Sequence, residues 1–222
     1  MLLTVALVAV LAFWDEEREA ADALDDYARE QATLALSVGA QLASRLAVAR
    51  RDAFVAAEDA HAGHPTPASI ADKYLALRVV PKGAAPPRVA VEGTAFTLAI
   101  EVPADRYALL TLAPTDLFTS LAPIERPGAL VVLVLPDGAS TFHAVDGRLV
   151  RADELADALA AGRPSARLTR PQAAHLGLPA RVALAGLSSV DAGPLGRWGV
   201  AVVATAERLR DRERRAYWRL VL

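Results

Sequence analysis

The sequence predicts an α+β protein, in which a long N-terminal helix precedes an antiparallel sheet that carries short helices. Residues 15–59 contain no proline and one glycine, Gly39, as is typical of a long helix. Between residues 74 and 205, runs of apolar and β-branched residues alternate with turns rich in glycine and proline. Most of these turns are too short for a helical crossover, so neighbouring strands are expected to be antiparallel.

The composition of the 222 residues is that of a packed globular chain, with 54% hydrophobic and 23% charged residues. A formal net charge of −2 provides no general attraction to nucleic acid, so no nucleic-acid partner is expected. The chain has no cysteine, which excludes disulfide bonds and thiolate metal ligands.

Residues 1–14 contain an uncharged apolar run, Leu2 to Trp14. A helix that spans a membrane needs about 20 such residues, so the run favours a truncated transmembrane helix. Trp14 suits the membrane interface, and the acidic residues that follow it suit export of the rest of the chain. A buried core helix and a clipped signal peptide are the alternatives.

Residues 15–60 are predicted to form a long membrane-proximal helix, either continuous or broken near Gly39. Apolar residues recur in this segment at steps of three and four, which marks an amphipathic helix. This apolar seam is larger than is needed to cover one face of a sheet. The surplus predicts a parallel homodimer through the helix. The residues in question are Leu24, Leu34, Val38 and Leu42.

Residues 61–205 are predicted to form the folded domain that follows the helix. Its predicted strands are Tyr74–Val80, Arg88–Val91, Phe96–Val102, Tyr107–Leu112, Ala129–Leu135, Thr141–Val145, Arg181–Val190 and Arg197–Thr205. The fifth and sixth strands form a hairpin around the turn at Asp137-Gly138.

Two short helices are expected within this domain. Residues 115–128 begin a helix with Thr115 as its N-cap, and the helix ends before Pro123. Residues 153–161 form a second helix, which Gly162 terminates. The last strand then continues without glycine or proline into residues 206–222, which are predicted to form a charged stalk helix leading to a second membrane helix.

Two stretches of the chain carry a resemblance to a known family. The hairpin LVVLVLPDGASTFHAVDGRLV and the C-terminal stretch LGLPARVALAGLSSVDAGPLGRWGVAVVATAERLRDRERRAYWRL follow a long membrane-proximal helix. This arrangement resembles the extracytoplasmic PAS-like or Cache sensor domain of a bacterial transmembrane sensor histidine kinase.

The resemblance implies a signal-sensing module whose terminal helix passes a signal to a kinase part outside this chain. The chain itself is then not an enzyme, and it lies at the bacterial inner membrane with residues 15–222 mostly periplasmic. The alternatives are a secreted or membrane-anchored small-molecule binding protein, and the sensor of a chemoreceptor or of a nucleotide-cyclase receptor.

The ligand of such a module is expected to be a small molecule of unknown identity. Polar and aromatic residues in and near the strands around the central hairpin are the candidate contacts, and arginine among them suits a carboxylate or phosphate. The alternative is that they only cover sheet edges. The candidates are Tyr74, Arg78, Tyr107, Arg126, His143 and Arg181.

No catalytic residue, cofactor or metal site is predicted. Ser188-Ser189 lacks the strand–turn–helix context of a nucleophile elbow, and no glycine-rich phosphate loop follows a strand. His61 and His64 lie in a proline-bounded loop without a third imidazole nearby, so they are interpreted as loop histidines.

Overall fold

The computed structural model describes residues 2–83, 86–118, 128–138, 140–144, 147–179 and 181–205, with the backbone alone for residues 2–17 and 19–21. Within these residues the chain has an α+β fold with one long helix, two antiparallel sheets and short helices. The α+β class and the long N-terminal helix predicted from the sequence are therefore confirmed.

Helix α1 runs from Leu2 to His61 and is followed by the short helices α2 (Ala68–Ala71), α3 (Asp153–Ala160) and α4 (Arg170–His175). The ten strands are β1 (Ala76–Pro81), β2 (Val89–Glu92), β3 (Ala95–Val102), β4 (Arg106–Leu112), β5 (Ala129–Val134), β6 (Thr141–His143), β7 (Leu149–Val150), β8 (Ser165–Leu168), β9 (Ala183–Asp191) and β10 (Arg197–Thr205).

The strands form two antiparallel sheets instead of the single sheet that was predicted. One sheet has four strands in the order β1-β4-β3-β2, and the other has six in the order β7-β6-β5-β10-β9-β8. Strand β10 lies inside the larger sheet, paired over most of its length with β5 and over its full length with β9. Turn lengths predict antiparallel pairing but carry no information on which distant strands become neighbours.

Two hydrophobic layers cover the larger sheet because its strands alternate between faces. Trp198, Val200 and Val202 of β10 point into a core shared with α1 and the smaller sheet. Ala201 and Val203 point to the opposite face, into a core shared with α3 and α4. The rings of Phe96 in the smaller sheet and of Trp198 lie 5.6 Å apart between centroids, so an aromatic pair joins the two sheets.

Helix α1 is continuous through Gly39, so of the two alternatives the continuous helix is the one observed. A Cβ atom at Gly39 would lie 2.6 Å from Oγ of Ser188 in β9. The glycine therefore permits a close approach of helix to sheet and does not interrupt the helix.

The apolar seam of α1 packs inside this chain. Val38 and Leu42 are fully buried in the core between α1 and the sheets, and Leu34 packs against that core. Leu24 packs against a small cluster of Tyr27, Leu184 and Ala204. Of the residues that motivated the homodimer, Val38 and Leu42 are thus used by this chain's own core, whereas Leu24 and Leu34 are half-buried, and the homodimer stays a prediction.

By length and composition, one stretch of the described residues is able to cross a membrane: the part of α1 from Asp22 to His61. Of its apolar window, 33% is buried within the fold. The side chains of residues 2–14, which were predicted to form a truncated membrane helix, lie outside the described residues, although the backbone from Leu2 is helical.

Local details differ from the prediction in several places. Where a helix was expected to start at Thr115, the described residues form a 3-10 turn, Pro114–Leu117, whose N-cap Ala113 donates its backbone N–H to the Asp116 carboxylate. Helices α2 and α4 and strands β7 and β8 were not predicted, since all four are short and lack an apolar period. Residues 119–127 and 206–222, including the predicted stalk helix, lie outside the described residues.

Candidate functional site

The structure separates the six residues predicted to contact a ligand. Arg78 and Tyr107 lie on the outer face of the smaller sheet, because their neighbours Leu77, Val79 and Ala108 point into the core. Tyr74 lies against α1, His143 is half-buried in β6, and Arg181 is exposed just before β9. Arg126 lies outside the described residues. Of the five candidates that the structure describes, only Arg78 and Tyr107 share a surface, so these five do not converge on one cavity.

Tyr74 belongs to a polar cluster on α1. Its phenol donates a hydrogen bond of 2.9 Å to Oδ2 of Asp52, and the Lys73 ammonium donates to the same oxygen at 2.9 Å. Asp52 is buried, with a side chain that is 4% exposed, whereas the Lys73 side chain is 47% exposed. A buried carboxylate requires such donors. The cluster therefore ties the segment between α2 and β1 to the C-terminal third of α1.

Burial, together with the hydrogen bond to Asp52, raises the pKa of the Tyr74 phenol above its ordinary value of 10.0. A group with a raised pKa in the folded state stabilises the fold fully below its unfolded-state pKa. That contribution is lost as the pH rises through the folded-state value. Protonated Tyr74 is thus a stabilising group at neutral pH.

We expect the free energy of unfolding to decline above a pH of about 10, and to decline less in a Tyr74→Phe variant. Urea denaturation at a series of alkaline pH values, followed by circular dichroism, measures this. In the Asp52→Asn variant, tyrosinate absorbance should show one tyrosine that ionises at lower pH than in the wild type. Tyr107→Phe is the control, and an equal alkaline decline in Tyr74→Phe and wild type would contradict the assignment.

A groove of about 530 Å³ lies between α1 and the turn that joins β9 to β10. This volume falls in the range of small-molecule sites. On the α1 side, the lining residues recur at helical spacing and so share one face of the helix. The groove is lined by Ala43, Leu46, Ala47, Arg50, Arg51, Phe54, Asp191, Ala192 and Gly193.

The groove is basic at one end and apolar along its floor. The guanidinium of Arg50 lies over the ring of Phe54, with 5.9 Å from Cζ to the centroid. Across the groove, Asp191 accepts the backbone N–H of Gly193 at 2.9 Å. Within the described part of the chain, neither Arg50 nor Arg51 forms an ion pair. The two guanidinium groups are thus available to an anion.

A smaller cavity of about 270 Å³ lies on the opposite face of the larger sheet, between β5, β10 and α3. Leu159 of α3 fills much of the space above Gly199, where a Cβ atom would lie 2.5 Å from Leu159 Cδ1. Most of its lining is apolar, and Arg197 is its one charged lining residue. Compared with the groove, this cavity offers little room and few polar groups.

The described residues contain no group of three or more histidine, cysteine, aspartate or glutamate side chains that could hold a metal ion. His61 is the last residue of α1 and His64 follows the helix; both side chains are exposed. Asp52, the most buried carboxylate of the described residues, has an amine and a phenol as partners, so its arrangement is that of a structural tie.

The sequence interpretation overlooked the residues that line the groove and the buried Asp52. One signal was available for each. Asp52 occupies a position in the middle of the apolar period of α1, next to Ala53, where a charge needs a partner. Arg50 and Phe54 are four residues apart, the spacing at which helical side chains meet. Nothing local indicated that the turn at Asp191 faces them.

Comparison of this chain with protein-family models, with curated proteins and with solved structures finds no match.

Proposed function

We propose that this chain is the extracytoplasmic signal-sensing module of a bacterial membrane-bound sensor histidine kinase. The observation that carries the proposal is that the N-terminal part of α1 lies beside the end of β10. Tyr27 and Leu24 of α1 pack with Ala204, one residue before the end of β10. Below Tyr27 the helix continues to Leu2, about 37 Å further at 1.5 Å per residue. Both connections of the module therefore leave at the same end, as anchoring to one membrane requires.

The position of β10, which connects the core to the end of the module where both connections leave, also supports a sensor. β10 lies inside the larger sheet, contacts both hydrophobic layers and packs on α1. A displacement of the sheet would move the last residue of β10 relative to the N-terminal part of α1. Such a rearrangement of two packed elements is one way in which a binding event biases a distant part.

The strand order of the larger sheet is consistent with a PAS-like identity. Numbered along the chain, β5, β6, β8, β9 and β10 are arranged 2-1-5-4-3, with β7 added outside the second strand. This order resembles that of PAS-like domains. Helix α3 lies between the second and third of these strands and covers one face of the sheet, while α1 covers the other.

The test uses the full-length gene product in bacterial cells. These 222 residues lack cysteine; once any cysteine elsewhere in the full-length product has been replaced by serine, an Arg163→Cys substitution at an exposed residue provides one site for a membrane-impermeant maleimide. We expect labelling in intact spheroplasts, without lysis, and ATP-dependent formation of phosphohistidine in the membrane fraction. The cysteine-free parent of this variant is the background control, and a buried Leu133→Cys variant should label only after denaturation.

The outcomes separate the alternatives. Labelling only after lysis would overturn an extracytoplasmic location. Labelling of intact spheroplasts without phosphohistidine would overturn the kinase assignment and favour an anchored binding protein or another receptor output. Recovery of the protein in the soluble periplasmic fraction would favour a secreted binding protein.

A further inference from the structure

We propose that the groove between α1 and the turn at residues 191–193 binds a small monocarboxylate with an aromatic or aliphatic part. Arg50 and Arg51 would hold the carboxylate, and the apolar floor of the groove would hold the hydrocarbon. Binding at this groove does not depend on the proposed function. Only the interpretation of that binding as a signal rests on it.

The anionic part of the ligand follows from the charges at the groove. Arg50 and Arg51 are exposed, and neither guanidinium has a carboxylate partner among the described residues. A guanidinium donates two parallel hydrogen bonds to a carboxylate, which makes arginine the side chain best suited to this group. Phe54 restrains Arg50 by lying under its guanidinium.

The expectation that the ligand carries a single negative charge follows from the opposite wall of the groove. Asp191 contributes one negative charge to the lining, and one oxygen of its carboxylate is already engaged by the N–H of Gly193. Two arginines and one aspartate leave a net charge of +1. That charge is matched by a monoanion, whereas a dianion or trianion would place excess negative charge next to Asp191.

The hydrocarbon part follows from the shape of the groove. Ala43 and Ala47 are exposed on α1 and leave the space that a longer side chain would fill, while Leu46 and Phe54 provide apolar walls. Burial of a ligand's hydrocarbon on such a surface is favourable, whereas an inorganic anion would leave the apolar surface exposed to water. At 1.5 Å per residue, Arg50 is about 35 Å from Tyr27, so the groove lies far from the exit end of the module.

The test measures binding of benzoate by isothermal titration calorimetry, using the full 222-residue chain in phosphatidylcholine nanodiscs with empty nanodiscs as the blank. We expect binding that weakens about tenfold or more in Arg50→Gln and in Arg51→Gln, because each removes a charge-assisted hydrogen bond. Ala47→Leu, which fills the groove, should abolish it. Arg163→Gln and Ala40→Leu, exposed and outside the groove, are the matched controls.

Each ligand comparison has a decisive result. Benzyl alcohol lacks the charge and inorganic phosphate lacks the hydrocarbon, so equal binding of either would overturn the monocarboxylate. Failure of both benzoate and hexanoate to bind would overturn the site, as would benzoate binding that is unchanged in the two glutamine variants. If maleimide labelling places the module inside the cell while benzoate binding still depends on Arg50 and Arg51, the proposed function fails and this inference stands.

Discussion

Replacing Gly186 by alanine is expected to destabilise the fold strongly, although the substitution adds a single methyl group. A Cβ atom at Gly186 of β9 would lie 2.0 Å from the backbone carbon of Gln31 and 2.2 Å from the backbone nitrogen of Ala32, both in α1. Backbone atoms cannot rotate away as a side chain can, so the helix must shift. Because α1 packs chiefly on β9, that shift disturbs the main helix–sheet contact.

The free energy of unfolding should fall by about 3 kcal/mol or more, the upper end of the cost of overpacking a core. Urea denaturation followed by circular dichroism measures this loss. Gly83→Ala is the matched control, since its Cβ atom would meet nothing within 4 Å and its φ is ordinary. A Gly186→Ala variant as stable as Gly83→Ala would show that α1 does not lie on β9 in this way.

The second large effect is expected at Trp198, which is fully buried and touches both sheets. Trp198→Ala removes the ring that packs on Phe96 and leaves the Leu195 carbonyl without its indole N–H donor at 3.2 Å. The cavity and the lost transfer energy should reduce the free energy of unfolding by about 3–5 kcal/mol.

The same denaturation measurement tests this expectation, with Trp198→Phe as the control that retains an aromatic ring. Phe should recover much of the loss because it keeps the contact to Phe96, but not the hydrogen bond to Leu195. A loss below about 1 kcal/mol in Trp198→Ala, the size of an average substitution, would contradict the packing of the two sheets around this residue.

Both residues lie on the path that the proposed sensor would use. Gly186 positions α1 on β9, and Trp198 lies near the start of β10, whose other end packs on Tyr27 through Ala204. Rigid packing along this path is the physical requirement for transmission, since a loose joint would absorb a displacement of the sheet.

Local sequence determined most of the secondary structure of this chain. The predicted bounds of β10, Arg197 to Thr205, agree with the structure, because β-branched and aromatic residues there alternate without a breaker. The helix at Asp153 ends one residue before its predicted end, with Gly162 at a φ of 68° just beyond it. Each of these features depends on residues that are close together in the chain.

The tertiary structure alone decided how these elements meet. The division into two sheets depends on pairings such as β5 with β10, whose members are distant in the chain and carry no local mark of their partner. Asp52 acquires its partners from Lys73 and Tyr74, which lie 21 and 22 residues later. The groove requires Arg50 and Asp191 to face each other across α1 and the β9–β10 turn. Helical and strand periodicity specify which face of an element is apolar, whereas only packing of the whole chain decides what that face covers and which polar groups are left to bind a ligand.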